Sequence, residues 1–221
     1  FQDFTPHMHE HIDEWRKLNL QFRGICTGFL GSAEQISIVR DFIDEFGGDD
    51  CVTLVDPVMG DEGKAYGTYT PEMCERMAEL VAHADIITPN ITEACILANV
   101  DYDPHMSFDD AFSLARKLCD MGPSKVVVTG VEHESSMSNV CFERGKEPFT
   151  VTGEKLGEQR SGTGDVFSAI IAADAVNEVP FKESIEKATR FAHDCVQASI
   201  DLGIPHTDGL AFEEKLHTLA Q

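Results

Sequence analysis

The chain has 221 residues, with 39 acidic and 17 basic side chains and a formal net charge of −22. This negative field repels phosphate backbones, so we exclude nucleic acid as a partner and expect a polyphosphate ligand to need compensation from a metal ion or backbone amides. No apolar run approaches the roughly 18 residues that span a bilayer, so a membrane partner is not expected either. The seven scattered cysteines form no C-x-x-C pair, and with no secretory signal visible this favours a cytoplasmic setting.

Strand and helix patterns alternate along most of the chain. After a histidine-containing segment in which His7, His9 and His11 are expected on a solvated helix, helix-capping signals occur at Ser32, Thr70 and Ser107. Short β-branched segments, apolar on both faces, predict buried strands at 51–55, 85–88 and 125–129. Residues 138–152 predict a hairpin, and helices are predicted at about 164–177 and 180–202. The alternation indicates one α/β domain with a mostly parallel, doubly wound sheet covered by helices on both faces.

Polar residues follow the predicted strands at their carboxyl ends, where open α/β sheets bind ligands. The first strand is followed by Asp56 and Asp61, the second by Asn90 and Glu93, and the third ends at Thr129. Three carboxylates brought together would repel one another unless a hard cation or waters intervened, and Mg²⁺ prefers such oxygen ligands. The alternative is that Asp56 merely closes a turn before a proline and that the other two acids lie on the surface.

The segment SGTGD at 161–165 precedes a helix of small residues. Its glycines allow close backbone approach, and free amides at a helix N-terminus bind anions. A carboxylate at Asp165 would repel a bound phosphate, but it is useful if it accepts the proton of a hydroxyl that attacks that phosphate. The alternative is an ordinary glycine-rich turn with an acid that favours the helix dipole.

Four motifs in this order, DPVMGD, TPNITE, VVVTG and SGTGD, resemble the pyridoxal kinase branch of the ribokinase-like superfamily. The likeness extends from about Leu18 through the last helix. It implies an ATP-dependent phosphotransferase that phosphorylates the 5′-hydroxyl of pyridoxal, pyridoxine or pyridoxamine in vitamin B6 salvage. It also implies Mg²⁺, with a monovalent cation such as K⁺ as a further candidate, and a homodimer.

The resemblance implies a role for each motif residue. Asp165 corresponds to the catalytic base, and the amides of Gly162, Thr163 and Gly164 correspond to the anion hole. The remaining assignments are Asp61 and Glu93 at Mg²⁺, Asp56, Asn90, Glu93 and Thr129 at the nucleotide, and Phe29 at the substrate ring. The family usually has Tyr at that last position, so Phe29 keeps the stacking face without the hydroxyl, and a plain core phenylalanine is the alternative. Family members also begin with a strand that we expect ahead of Phe1, which makes the domain of residues 1–221 N-terminally incomplete.

Two alternative functions remain open. A hydroxymethylpyrimidine (phosphate) kinase belongs to the same superfamily, but that branch typically has Cys where this chain has Asp165 and usually lacks the acid of DPVMGD. A non-catalytic ligand-binding relative with a decayed site would be expected to lose the base or the acids, and both are retained here. A sugar kinase shares the logic of the GTGD segment and is not dismissed by that motif alone.

Overall fold

The computed structural model of the protein describes residues 2–133, 135–157 and 160–220. Its helices are α1 (Thr5–Lys17), α2 (Ala33–Phe46), α3 (Pro71–Val81), α4 (Ile91–Ala98), α5 (Phe108–Cys119), α6 (Thr163–Val176) and α7 (Phe181–Asp201). Its strands are β1 (Gly24–Thr27), β2 (Val52–Val55), β3 (Gly60–Asp61), β4 (Lys64–Ala65), β5 (Ile86–Ile87), β6 (Lys125–His133), β7 (Ser136–Glu143) and β8 (Phe149–Glu154). Short 3₁₀ helices follow at His206–Asp208, Phe212–Glu214 and Leu216–Ala220.

The central sheet has six strands in the order β1-β2-β5-β6-β7-β8. The pairs from β1 to β6 are parallel, whereas β7 and β8 pair antiparallel with their neighbours. The predicted strands and the hairpin are confirmed, and so is the mostly parallel fold class. Strand β1 lies at an edge of the described sheet, and the strand expected ahead of Phe1 stays a prediction.

Alternate residues of the strands face two separate apolar cores, as expected when helices cover both faces of a sheet. One core is built with α2, α3, α4 and α5, and the other with α6 and α7. The first core takes Val55, Ile87 and Val126, and the second takes Leu54, Ile86 and Val127. Burying each such side chain contributes about 1.5–3 kcal/mol, so both faces of these strands contribute to the stability of the fold.

Strand β6 extends beyond the predicted end at Thr129 to His133. A register shift between Val128 and Val131 divides it: the first part is buried, whereas Glu132 and His133 are exposed and pair with β7 alone. The sequence segment that is apolar on both faces predicted this strand. That segment stops at the point where the strand is no longer buried on both faces. A bulge of this kind re-aims the residues within it.

Helix α1 lies over α2 through aromatic contacts. The ring of Trp15 meets Phe22 and Phe42 edge-on, at centroid distances of 5.5 and 5.4 Å. His7, His9 and His11 are exposed on this helix, as predicted for a solvated face. Across the described residues we find no helix with the length and apolar character that a membrane crossing requires.

Candidate active site

The carboxyl ends of the parallel strands bring the predicted polar residues to one edge of the sheet. Asp56 directly follows β2, and Asn90 follows β5 and forms a parallel bridge with Thr129 in β6. The Thr129 N–H donates to the Pro89 carbonyl at 2.9 Å, which ties the end of β6 to the segment that carries Asn90. Asp56, Asn90 and Thr129 therefore belong to neighbouring strand ends, as the motif order predicted.

Asp56 is a buried carboxylate in a chain of hydroxyl groups. Its side chain is 6% exposed, and the Ser168 hydroxyl donates to its Oδ2 at 3.2 Å. The hydroxyls of Ser168 and Thr88 lie 2.9 Å apart and share a hydrogen bond. Burial raises the pKa of Asp56 to about 7, partly opposed by the Ser168 bond and increased again by the negative charge of Asp165. Asp56 is thus neither a surface acid nor only a turn residue.

Glu93 is also buried, at 4% exposure, and it belongs to a capping box at the start of α4. Its Oε2 accepts from the Asn90 N–H at 2.8 Å, and its Oε1 accepts from the Met59 N–H at 3.1 Å. In return, the Glu93 N–H donates to Asn90 Oδ1 at 2.9 Å. Burial raises the pKa of Glu93 to about 8 against the lowering effect of these bonds, and the charge of Asp56 adds to the rise.

Asp61 lies in the small β3–β4 hairpin next to the N-terminus of α4. The Asn90 side-chain amide donates to the Gly60 carbonyl at 2.9 Å, and Asp61 Oδ1 accepts from the Glu62 N–H at 2.8 Å. The predicted Asn90, Glu93 and Asp61 therefore belong to one connected unit. The interpretation of Glu93 as a surface acid is wrong, because its carboxylate is enclosed by backbone amides.

The donor set fits a magnesium ion held mainly by phosphate oxygens and water. In the described ranges, no three His, Cys, Asp or Glu side chains form a group that could hold a metal by themselves. Asp61 and Glu93, with Asp56 nearby, supply oxygen atoms, and none of the three is paired with a Lys or Arg in the ion pairs of those ranges. A bound cation would favour the ionised forms that burial disfavours, and Mg²⁺ typically needs only one or two carboxylates beside substrate phosphates.

The N-terminus of α6 has no side-chain cap among the described residues, as a candidate anion site requires. Gly162 is its N-cap, with a left-handed φ of 88°, and no side chain caps the first amides. The Thr163 hydroxyl donates to the Arg160 carbonyl at 2.9 Å, so it leaves the amides of the first turn free for a ligand. Free amides and the helix dipole together favour a phosphate group at this point.

Asp165 stands in the first turn of α6, where its side chain is exposed to solvent. A Cβ added to Gly28, after the end of β1, would lie 3.7 Å from Asp165 Oδ1. A Cβ added to Gly164 would lie 3.7 Å from Asp56 Oδ2. The two glycines therefore lie beside two carboxylates, Gly28 beside the accessible Asp165 and Gly164 beside the buried Asp56.

Phe29 follows Gly28 and is 44% exposed, so its interpretation as a core phenylalanine is wrong. Its ring contacts Tyr69 edge-on, with centroids 6.3 Å apart and planes at 63°. The exposed ring of Phe29 lies next in sequence to Gly28, which lies beside Asp165. A ring at this position can support an aromatic or apolar substrate.

Three site residues were not predicted from the sequence. Ser168 lies one turn after Asp165 on α6, a spacing that places both on one helix face. Thr88 begins the TPN turn; its hydroxyl lies 2.9 Å from that of Ser168, and its hydrogen bond to Asp56 lowers the pKa of that carboxyl. Cys26 lies two residues before Gly28 on β1, where its side chain is exposed near the charges of Asp56 and Asp165. The helical spacing could have indicated Ser168.

Residues 11–209 match the family model described as phosphomethylpyrimidine kinase. The chain belongs to this family. A hydroxymethylpyrimidine/phosphomethylpyrimidine kinase of Haemophilus influenzae is 27% identical over 86% of this chain and 71% of its own length. A pyridoxal kinase of Actinobacillus pleuropneumoniae is 27% identical over 88% of this chain and 69% of its own length. The chain is therefore a kinase of the pyridoxal and hydroxymethylpyrimidine kinase group, with the ribokinase-like fold that the motifs predicted.

The solved structures give the same result. A putative phosphomethylpyrimidine kinase from Bacteroides thetaiotaomicron matches all of this chain and 77% of its own, with a TM-score of 0.96 and 34% identity. A second crystal form of that protein, with pyridoxal, matches with a TM-score of 0.93 and 33% identity. Relatives of both substrate classes thus resemble the chain, and family membership by itself leaves the acceptor alcohol open.

Proposed function

We propose that the protein transfers the γ-phosphoryl group of ATP to the 5′-hydroxyl of pyridoxal, pyridoxine or pyridoxamine. The observation that carries this proposal is the position of Asp165, an accessible carboxylate in the first turn of a helix whose N-terminal amides are free. A carboxylate at an anion site opposes anion binding, but it serves a reaction in which an alcohol must lose its proton as it attacks a phosphate.

In the proposed mechanism, the first-turn amides of α6, from Gly162, Thr163 and Gly164, hold the γ-phosphoryl oxygens. Asp165 accepts the proton of the 5′-hydroxyl while that oxygen forms its bond to phosphorus and the bond to the ADP oxygen breaks. A bound Mg²⁺ would neutralise charge on the phosphate oxygens. Asp61 and Glu93 would hold it largely through water, since both Glu93 oxygens already accept backbone N–H bonds.

Asp56, Asn90 and Thr129 are proposed to lie along the nucleotide phosphates. The negative charge of Asp165 lies close enough to Asp56 to raise the pKa of Asp56. Ser168 and Thr88 hold Asp56 in place through the hydroxyl chain.

Three observations favour a B6 vitamer over hydroxymethylpyrimidine. The base is Asp165, whereas the hydroxymethylpyrimidine branch typically has Cys at this position. Phe29 presents an exposed ring beside Gly28, in the stretch that resembles the pyridine-contacting segment of pyridoxal kinases. The Bacteroides relative was crystallised with pyridoxal.

The test is a coupled kinase assay in which purified protein is offered pyridoxal, pyridoxine, pyridoxamine or hydroxymethylpyrimidine at matched concentrations with Mg²⁺ and ATP. We expect kcat/KM to be highest for a B6 vitamer. Asp165→Asn, which keeps the shape of the base but not its basicity, should lower kcat about 10²–10⁴-fold while an ATP analogue still binds. A preference for hydroxymethylpyrimidine would refute the substrate assignment, and turnover of Asp165→Asn at the wild-type rate would refute the base assignment.

The rival of another class, a non-catalytic ligand-binding relative, makes the opposite prediction. It would bind pyridoxal or ATP in calorimetry yet form no phosphorylated product from any of the four alcohols. Retention of Asp165 together with the buried Asp56 and Glu93 argues against it.

A further inference from the structure

The β3–β4 hairpin is held at its base by the start of α4. The Asn90 amide donates to Gly60 in the first strand of the hairpin, and Glu93 accepts from Met59, the residue directly before that strand. Each strand has only two residues. Because an isolated two-stranded hairpin is marginal in water, the position of Asp61 depends on contacts from the rest of the protein.

The turn of the hairpin has a second attachment. Glu62 and Gly63 both have positive φ values, 49° and 77°, as in the tight turns favoured by two-residue hairpins. The Gly63 N–H donates to the Thr92 hydroxyl oxygen at 2.9 Å, and Thr92 is itself only 3% exposed. An amide that would otherwise face solvent at the turn is therefore fixed to the second residue of α4.

Tyr102 closes the other side of the same turn. A Cβ added to Gly63 would lie 2.5 Å from the Cδ1 atom of Tyr102, so the tyrosine ring lies directly against the glycine backbone. Tyr102 is 36% exposed and follows α4 in the connection to α5. The turn is thus enclosed between Thr92 and Tyr102, which we call the turn clamp.

We propose that the turn clamp, Thr92 and Tyr102, positions Asp61 for the metal–nucleotide complex. The inference rests on the proposed function, because it takes Asp61 as a group that holds Mg²⁺. Neither clamp residue is proposed to touch a reactant. They act through the hairpin: Glu62 N–H donates to Asp61 Oδ1, and Glu62 is the residue adjoining the clamped Gly63. Displacing the turn therefore displaces the carboxylate.

The test uses Thr92→Val, which keeps the shape of the side chain and removes its hydrogen-bond acceptor, and Tyr102→Ala, which removes the ring. Two readouts are independent of turnover: hydrogen–deuterium exchange of the peptide that spans the hairpin, and Mn²⁺ binding to the protein with a non-hydrolysable ATP analogue, followed by electron paramagnetic resonance. A hydrogen bond of this kind contributes about 0.5–1.5 kcal/mol, so we expect Mn²⁺ binding to weaken roughly 2–10-fold in Thr92→Val, together with faster exchange.

The controls are conservative replacements. Thr92→Ser keeps the acceptor and Tyr102→Phe keeps the ring, so both should retain wild-type exchange and Mn²⁺ affinity. Thr150→Val, at an exposed position of β8, should also have no effect. Asp61→Asn should weaken Mn²⁺ binding at least as much as Thr92→Val, and combining the two changes should add little, because both act on one contact.

Faster exchange with unchanged Mn²⁺ affinity in Thr92→Val would overturn the proposal, since the turn would then move without consequence for the metal. An unaffected Asp61→Asn variant would overturn it too. Neither measurement needs an acceptor alcohol. If the wild-type protein failed to phosphorylate any B6 vitamer, the proposed function would fail while these binding results would still decide the clamp.

Discussion

Replacing Asp56 by Asn should change how the stability of the protein depends on pH. Asp56 is 6% exposed, and burial is the largest cause of a pKa raised from 3.8 to about 7. A carboxyl whose pKa is higher in the folded state stabilises the fold fully below about pH 4, and this contribution is lost as the pH rises through about 7. Asn has a similar shape and cannot ionise, so Asp56→Asn should remove this part of the pH dependence.

The magnitude follows from the two pKa values. Between pH 5 and pH 7 the unfolded chain has released the Asp56 proton, whereas the folded protein still holds it. Each pH unit in this window therefore lowers the free energy of unfolding by about 1.4 kcal/mol. Over the whole interval from pH 5 to pH 7, the free energy of unfolding falls by at most about 2–3 kcal/mol. Glu93, with a pKa raised to about 8, adds a loss of the same sign that remains in the variant.

The assay is urea unfolding at pH 5, 6, 7 and 8 in the presence of EDTA and without nucleotide. The fluorescence of the single tryptophan, Trp15, which contacts Phe22 and Phe42, reports unfolding. Glu147→Gln, in the exposed turn between β7 and β8, removes one carboxylate at the surface and controls for the change in net charge. Parallel pH profiles for the wild type and Asp56→Asn would refute the inference that burial governs this carboxyl.

Three further predictions concern single positions. Ser168→Ala removes the donor to Asp56 and should raise the pKa of that carboxyl further; at pH 8 we expect unfolding to become about 1–3 kcal/mol easier, with a smaller effect at pH 5, measured by the same urea series. Gly162→Ala forces a side chain into a left-handed φ of 88°, so it should lower the free energy of unfolding by about 1–2 kcal/mol, measured by thermal unfolding. It should also weaken ATP binding in calorimetry, and an unchanged ATP affinity would contradict the anion site. Leu54→Ala, at 0% exposure in the core beneath α6 and α7, should cost about 2–5 kcal/mol in urea, and a loss below 1 kcal/mol would contradict the packing.

Local sequence determined several of the elements and the starts of three helices. Ser32, Thr70 and Ser107 each accept a hydrogen bond from the backbone three residues on, as predicted from residue type alone. Such caps need only neighbouring residues, so they can be identified in a single sequence. The runs apolar on both faces likewise indicated buried strands, and the strand ends then indicated an edge where Asp56, Asn90 and Thr129 should meet.

Only the tertiary structure decided what these residues do to one another. Ser168 bonds to Asp56 across 112 positions of sequence, and Thr92 reaches Gly63 across 29. The pKa values of Asp56 and Glu93 are raised because segments distant in sequence pack over them and exclude water. The local sequence pattern does not predict how much water this packing leaves. The sequence therefore specified which groups reach the active edge of the sheet. Packing decided which carboxylate is buried, which one stays accessible as the proposed base, and how the hairpin carrying Asp61 is held.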